Sequence, residues 1–175
     1  MLFYSDSTQL KESGKSVLSA WLSPSDAFWS RGKAHGCLMN EDKLELCQLA
    51  VRDHPFIRVS SWEITRGNPV DFGGVLEHVR SIVPAWVDVL YVCGADHAVK
   101  CNLYRKKSVV IVARVGSRIP DGKAIVVEGG DSDADASSTA VRKAVEDGNL
   151  ESVKNLLHPA VFERLKERGK ELFSS

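Results

Sequence analysis

The sequence predicts an α/β fold, built on a mostly parallel, doubly wound sheet with a helical C-terminal end. Short segments rich in β-branched and aromatic residues alternate with helical patterns, which is typical of strands joined by right-handed helical crossovers. Two segments, VDVLYVC at 87–93 and VVIVA at 109–113, are nearly continuous apolar runs, as expected of strands that helices cover on both faces. The 175 residues, 43% hydrophobic and 26% charged, suit one globular domain spanning 1–175.

Five strands and five helices are expected in chain order. The strands are placed at 16–22, 56–61, 87–93, 109–114 and 124–128, because β-branched and aromatic residues concentrate there. Helices are placed at 40–51 and 70–83, where apolar residues recur at helical spacing, the clearest stripe being Val75, Leu76, Val79 and Ile82.

The C-terminal third is predicted to be helical. After a polar loop at 129–136, a helix covers 137–146, and Gly148 and Asn149 break it. A short helix follows at 150–157. Pro159 suits the first position of a last helix that runs to about residue 172.

Charge and hydropathy exclude several classes of function. The 23 basic and 23 acidic side chains cancel, so a nucleic-acid partner is not expected. No apolar run approaches the roughly 20 residues that cross a bilayer, so no membrane partner is expected. The first 16 residues lack the basic start and long apolar stretch of a signal peptide. We therefore expect a cytosolic or nuclear protein.

The metal-ligating residue types do not form a recognisable site. The four cysteines lack CxxC spacing, and the five histidines form no HxxxH, HxxH or HxGH motif. The acidic loop at Asp131, Asp133 and Asp135 lacks the Gly and Glu of a calcium-binding loop, since Ala136 and Arg142 stand in those places. No bound metal and free, buried thiols are expected.

The segment 136–142, ASSTAVR, has two interpretations. Ser137 can simply be the N-cap of the helix, although the capping-box acid is missing because Ala140 stands there. Alternatively, the helix N-terminus binds an anion through backbone N–H groups, hydroxyls and the Arg142 side chain. The second interpretation explains why Arg142 and Lys143 lie in the first turns, where each opposes the helix dipole by roughly 0.3–1 kcal/mol.

The turn Cys93-Gly94-Ala95-Asp96 ends a predicted buried strand. Ligands in open α/β sheets lie beyond the carboxyl ends of the strands, where Gly94 would permit close approach and Asp96 could accept hydrogen bonds from a ribose. The alternative is a tight turn with Asp96 as a helix N-cap.

Two further segments follow predicted strands. Trp62, beside Glu63, can stack on a flat ligand ring or simply belong to the core. The loop after Ser23-Pro24 brings positive charge at Arg31 and Lys33, or is an ordinary surface loop.

Together these segments resemble the nicotinamide/nicotinate mononucleotide adenylyltransferase family, particularly its eukaryotic type. The similar stretches are SPSDAF at 23–28, KLELCQLA at 43–50, IRVSSWE at 57–63, CGAD at 93–96, NLY at 102–104, VARVG at 112–116 and DASSTAVR at 135–142. The last resembles the family's Ile-Ser-Ser-Thr-x-x-Arg motif, with Ala136 in place of Ile.

The resemblance implies a Rossmann-like nucleotidyltransferase of NAD biosynthesis. Its substrates would be ATP, brought with Mg²⁺, and nicotinamide or nicotinate mononucleotide, and its products the dinucleotide and pyrophosphate. By the motif match, ATP would contact Gly94, Asp96, Ser137, Ser138, Thr139 and Arg142. The mononucleotide would contact Trp62, Glu63, Tyr104, Arg31 and Lys33, with Trp62 and Tyr104 stacking on the pyridine. The resemblance leaves assembly into a homo-oligomer open.

The family's first strand and its His-x-x-His unit have no counterpart in the sequence, so no catalytic residue is identified. Met1-Leu2-Phe3 aligns just after that unit, which predicts an N-terminally incomplete domain, with impaired activity and exposed edges on neighbouring strands unless a partner element fills the gap. A complete central strand at residues 1–5 would contradict this. One alternative is a non-catalytic nucleotide-binding or chaperone-like paralogue. Another is a nucleotidyltransferase of the same superfamily that uses CTP or a different acceptor, which Trp62 and Tyr104 disfavour.

Overall fold

The computed structural model describes residues 14, 16–30, 37–114, 116–129 and 137–173. These residues form a mixed α/β structure whose strands are all parallel, in one sheet of two strands and one of three. The predicted α/β, Rossmann-like class is confirmed.

The contacts divide the chain into two units, one of residues 1–17 and 72–135 and one of residues 18–71 and 136–175. The expectation about residues 1–5 lies outside the described residues.

The unit formed by 18–71 and 136–175 contains the two-stranded sheet. Its strands are β1 (Ala20–Leu22) and β2 (Ile57–Val59), and its α-helices are α1 (Asn40–Val51), α2 (Trp62–Thr65), α5 (Ser138–Glu146) and α6 (Pro159–Leu172). Its described residues also form two 3-10 helices, Ala27–Ser30 and Leu150–Leu156. The predicted bounds of α1, α5 and α6 hold to within one residue.

The core of this unit lies between α1 and α6. Val161, Leu165 and Leu172 of α6 are buried, and Leu46 and Leu49 of α1 pack against them. The face of α1 that packs here thus includes Leu46, Leu49 and Ala50. Helix α5 approaches α6 closely at Gly169, where an added Cβ would lie 3.0 Å from a Val145 methyl.

The other unit contains the three-stranded sheet, and all its strands lie within the segment 72–129. Their order in the sheet is β3 (Tyr91–Gly94), β4 (Val109–Ala113) and β5 (Ile125–Glu128). Its helices are α3 (Phe72–Ile82) and α4 (Ala95–Lys100), with a 3-10 helix at Leu103–Arg105. Val110 and Ile111 on the central strand are 0% exposed. The prediction that VVIVA is a strand buried on both faces is confirmed.

Two predicted strands are shorter in the structure. The run 87–93 becomes a strand only at Tyr91, because the N–H of Val87 donates to the carbonyl of Pro84 in a turn and pairing begins where Tyr91 N–H meets the Ser108 carbonyl. The run 16–22 pairs only from Ala20, opposite Ile57. An apolar run does not reveal where its partner strand begins.

Helix α3 departs from prediction at its C-terminal end, where Ile82, the last residue of the predicted apolar stripe, is 52% exposed. Within the described ranges, none of the helices combines the length and apolar character needed to span a bilayer.

Candidate functional site

The N-terminus of α5 presents three hydroxyl groups to solvent. Ser137 has extended backbone angles and its Oγ accepts a hydrogen bond from the Ala140 N–H at 3.1 Å, so it is the N-cap. Ser138 and Thr139 follow in the first turn, and all three residues are exposed. The capping interpretation is thus confirmed, and it leaves the first N–H groups of the helix available to an anion.

Arg142 reaches back toward this terminus. Its Nη2 donates to Thr139 Oγ1 at 3.3 Å, which fixes the guanidinium one turn inside the helix start. Its Nε is buried and has no hydrogen-bond partner among the described residues. A buried N–H without an acceptor is unfavourable, so the group can gain a partner when an anion binds nearby. Ala136 lies outside the described residues.

Glu63 is a buried carboxyl beside the end of β2. Helix α2 begins shortly after that strand, and Glu63 lies in its first turn with 6% exposure. Its Oε2 accepts a hydrogen bond from Ser23 Oγ at 2.9 Å. Burial raises the pKa of Glu63, and hydrogen bonds from Ser23 and the Asp26 backbone partly offset this effect.

Asn40 links the loop after β1 to both neighbouring helices. It begins α1, and its Oδ1 accepts from the Ala27 N–H at 2.7 Å. Its Nδ2 lies 2.9 Å from Asp26 Oδ2 and 3.3 Å from the Ile64 carbonyl oxygen. The same side chain lines a cavity of about 340 Å³ together with Phe28 and Met39. Asn40 is not among the site residues that the sequence predicts, because its position at the start of a helix is the only local signal for it.

Trp62 opens α2 and is half-buried. The guanidinium carbon of Arg66, one turn later, lies 4.6 Å from the centroid of the indole, a cation–π distance. Arg66 itself is exposed. Trp62 is therefore neither fully buried in the core nor fully exposed, and the Arg66 guanidinium packs against its ring.

Gly94 and Asp96 lie at the carboxyl end of β3. Gly94 is the N-cap residue of α4, and a Cβ added to it would meet no atom of the described residues within 4 Å. Asp96 lies in the first turn of α4 and is exposed. The alternative in which Asp96 caps the helix is wrong, because α4 begins one residue earlier and Gly94 takes that position.

Tyr104 is a buried side chain of the 72–129 unit, with 9% exposure. Its hydroxyl donates to Asn102 Oδ1 at 3.2 Å. Its carbonyl accepts from the N–H groups of Lys123 and Ala124 at 2.7 and 2.9 Å. These contacts fix Tyr104 in the core, and its stacking on a substrate ring stays a prediction.

Apart from Tyr104, the candidate residues that the structure describes fall into three local groups. Ser137, Thr139 and Arg142 meet at the start of α5, while Trp62 and Glu63 are adjacent on α2. Gly94 and Asp96 share the β3–α4 turn. Arg31 and Lys33 lie outside the described residues. In the part of the chain that the structure describes, no group of three or more His, Cys, Asp or Glu side chains is placed to hold a metal ion.

Comparison with known proteins finds three similar bacterial proteins, each named probable nicotinate-nucleotide adenylyltransferase. The relative from Dehalococcoides mccartyi strain CBDB1 is 27% identical over 146 residues, covering 74% of this chain and 71% of its own. The relative from strain ATCC BAA-2266 / KCTC 15142 / 195 is 26% identical over 145 residues, covering 73% and 70%. No protein-family model matches the chain. The chain is therefore similar, over about three quarters of its length, to bacterial proteins with that name.

Proposed function

We propose that this protein joins ATP and a pyridine mononucleotide to give the dinucleotide and pyrophosphate, a step of NAD biosynthesis. The observation that carries the proposal is the start of α5, where three hydroxyl residues are exposed and Thr139 accepts a hydrogen bond from Arg142. The Nε of Arg142 is buried and has no partner among the residues that the structure describes. The names of the three bacterial relatives support the same reaction and favour nicotinate mononucleotide as the acceptor.

The reaction needs charge neutralisation more than covalent participation by the protein. A phosphate oxygen of the mononucleotide attacks the α-phosphorus of ATP, forming one P–O bond. The bond from the α-phosphorus to the bridging oxygen breaks, and pyrophosphate leaves with the electron pair. Positioning of the two reactants and stabilisation of the phosphate charges supply the acceleration.

The start of α5 would hold the phosphates of ATP. Backbone N–H groups at a helix N-terminus attract anions, and the hydroxyls of Ser138 and Thr139 add further donors. Arg142 would turn part of its fork from Thr139 toward a phosphate oxygen, giving charge-assisted hydrogen bonds. Mg²⁺ would arrive bound to the ATP phosphates and neutralise part of their charge.

The remaining candidates divide between the two substrates. We assign the nucleotide ribose to Gly94 and Asp96, because Gly94 leaves room for close approach and Asp96 is an exposed acceptor. We assign the pyridine ring to Trp62, with Glu63 as its neighbour in the chain, and the mononucleotide phosphate to Arg31 or Lys33. Tyr104 is a weaker candidate for stacking, since its hydroxyl and carbonyl already have partners.

Dinucleotide formation from ATP and nicotinate mononucleotide tests the proposal directly. Arg142→Ala should raise the Kd of ATP by roughly 10- to 100-fold, because a hydrogen bond to a charged group contributes about 1.5–3 kcal/mol. Lys143→Ala is the matched control, since Lys143 is an exposed cation at the next position of the same helix. Equal ATP affinity in the two variants would contradict the assignment of the phosphates to α5.

The same assay separates the enzyme from its main alternative. Turnover of ATP and the mononucleotide to dinucleotide supports the transferase. ATP binding that requires Arg142, without any product from the folded protein, would instead favour a non-catalytic nucleotide-binding paralogue. Product from CTP in place of ATP would favour a different nucleotidyltransferase.

A further inference from the structure

Arg66 lies where its guanidinium can contact the substituent of a ligand ring that stacks on Trp62. It follows the last residue of α2 and keeps helical backbone angles. Its guanidinium carbon lies 4.6 Å from the centroid of the Trp62 indole. Arg66 is exposed, and no salt bridge joins it to a carboxylate within the described residues. Its positive charge is therefore available to a ligand.

We propose that Arg66 selects nicotinate mononucleotide over its amide by pairing with the pyridine carboxylate. This inference rests on the proposed function, because it takes Trp62 as the surface on which the pyridine stacks. It adds a residue that the resemblance does not assign and a physical reason for a preference for the acid.

The charges of the two substrates differ at the ring. In both mononucleotides the ring nitrogen is bonded to the ribose, so the ring is a pyridinium cation. The acid form adds a carboxylate, which makes the base zwitterionic, whereas the amide form leaves it positively charged. A guanidinium beside the ring attracts the carboxylate and repels the uncompensated cation.

The shape of the guanidinium is a second reason to expect tighter binding of the acid than of the amide. A guanidinium presents parallel N–H donors that match the two oxygens of a carboxylate. A carboxamide offers one neutral acceptor, and its NH₂ group would face the donors of Arg66. A pyridinium and a guanidinium both interact favourably with the face of the Trp62 indole. An entering pyridine ring would therefore displace the Arg66 guanidinium toward the edge of the pyridine, where the carboxylate or carboxamide lies.

Calorimetric titration of the full chain with each mononucleotide tests the proposal without requiring turnover. We expect the acid to bind about tenfold more tightly than the amide, and Arg66→Gln to bring the two Kd values within about twofold of each other. Arg66→Lys should keep an intermediate preference, because it retains the charge but loses the planar fork.

Arg105→Gln is the matched control. The Arg105 guanidinium lies 5.5 Å from the centroid of the Tyr104 ring, the same type of contact on a buried tyrosine. The ratio of Kd values should stay at its wild-type value in this variant. Thermal denaturation of the Arg66 variants would show any purely structural effect of losing the stack on Trp62.

The outcomes separate the two proposals. An unchanged preference in Arg66→Gln, or no binding of the acid by the wild-type chain, would overturn the role of Arg66. Selective binding that depends on Arg66, with no dinucleotide formed from ATP, would uphold that role and contradict the transferase instead.

Discussion

The residue with the most unusual environment is Glu63, a carboxyl that lies almost entirely out of water. Ser23 Oγ supplies one hydrogen bond and Lys43 a favourable charge, yet desolvation is the larger effect and the pKa of Glu63 is raised. Folded protein therefore holds a proton at Glu63 more tightly than the unfolded chain does. The free energy of unfolding must consequently fall as pH rises through the window between the ordinary and the raised pKa.

Glu63→Gln should remove this dependence on pH. The amide oxygen can still accept from Ser23, so the variant should gain stability relative to the wild type as pH rises from about 4.5 toward neutrality. Urea unfolding across that range would measure the difference. Glu77→Gln, an exposed substitution within α3, is the control. A constant difference between Glu63→Gln and the wild type at all pH values would argue against a raised pKa.

Gly122 is fixed by a close approach of two backbone segments. A Cβ at this position would collide with the carbonyl oxygen of Tyr104, which cannot move without losing its hydrogen bonds from Lys123 and Ala124. We expect Gly122→Ala to destabilise the protein by about 1–3 kcal/mol in chemical unfolding. Gly94→Ala is the control for stability, since a Cβ there meets nothing within 4 Å. Equal stability of the two variants would contradict the packing around Tyr104.

At the scale of an element, α6 begins with a histidine cap. His158 Nδ1 accepts from the Ala160 N–H at 3.2 Å, and Pro159 follows at the first helical position, where no N–H is needed. His158 Nε2 also lies 3.3 Å from Asp53 Oδ2, but the Asp53 side chain is 70% exposed, so this pair contributes little. The cap is therefore the main local contribution of His158.

His158→Ala should lower the free energy of unfolding by about 1 kcal/mol, the usual cost of losing a helix N-cap. His158→Asn should recover most of that loss, because Asn is a preferred N-cap residue. Asp53→Ala should change stability by less than about 0.5 kcal/mol. Urea midpoints of the three variants test the assignment. It would fail if Asn did no better than Ala at position 158.

The elements differ in how well the sequence specifies them. Helices α5 and α6 carry local signals, a Ser cap on one and Pro159 on the other, and both lie where the sequence predicts them. The sequence predicts no helix at α2, and one near α4 only in the alternative where Asp96 is an N-cap, because four and six residues are too few to show helical periodicity. Local capping and spacing thus predict long elements better than short ones.

For the molecule as a whole, the parallel α/β class follows from the alternation of elements, and the structure confirms it. The candidate site is only partly predictable. The hydroxyls and Arg142 of α5 lie within one short segment, so their association is local. The Asn40 network joins residues 14 and 24 positions apart in the sequence, and the burial of Glu63 depends on Ser23, 40 positions away. Nothing in the local sequence indicates such contacts.

Ligand-linked stability is a property of the whole chain that tests the phosphate assignment independently of turnover. A ligand that binds only the folded state at 100 times its Kd raises the free energy of unfolding by about 2.7 kcal/mol. For a protein of this size, that corresponds to an increase in Tm of roughly 5–10 °C. We expect ATP with Mg²⁺ to produce such an increase in the wild-type chain.

At the same ATP concentration, Arg142→Ala should show about half of the increase in Tm or less, because its weaker affinity leaves the ligand far less in excess of Kd. Lys143→Ala should behave as the wild type. Differential scanning calorimetry at several ATP concentrations would give all three values. A Tm increase of the same size in Arg142→Ala and the wild type would show that ATP stabilises the fold without using the start of α5, which would place the phosphates elsewhere.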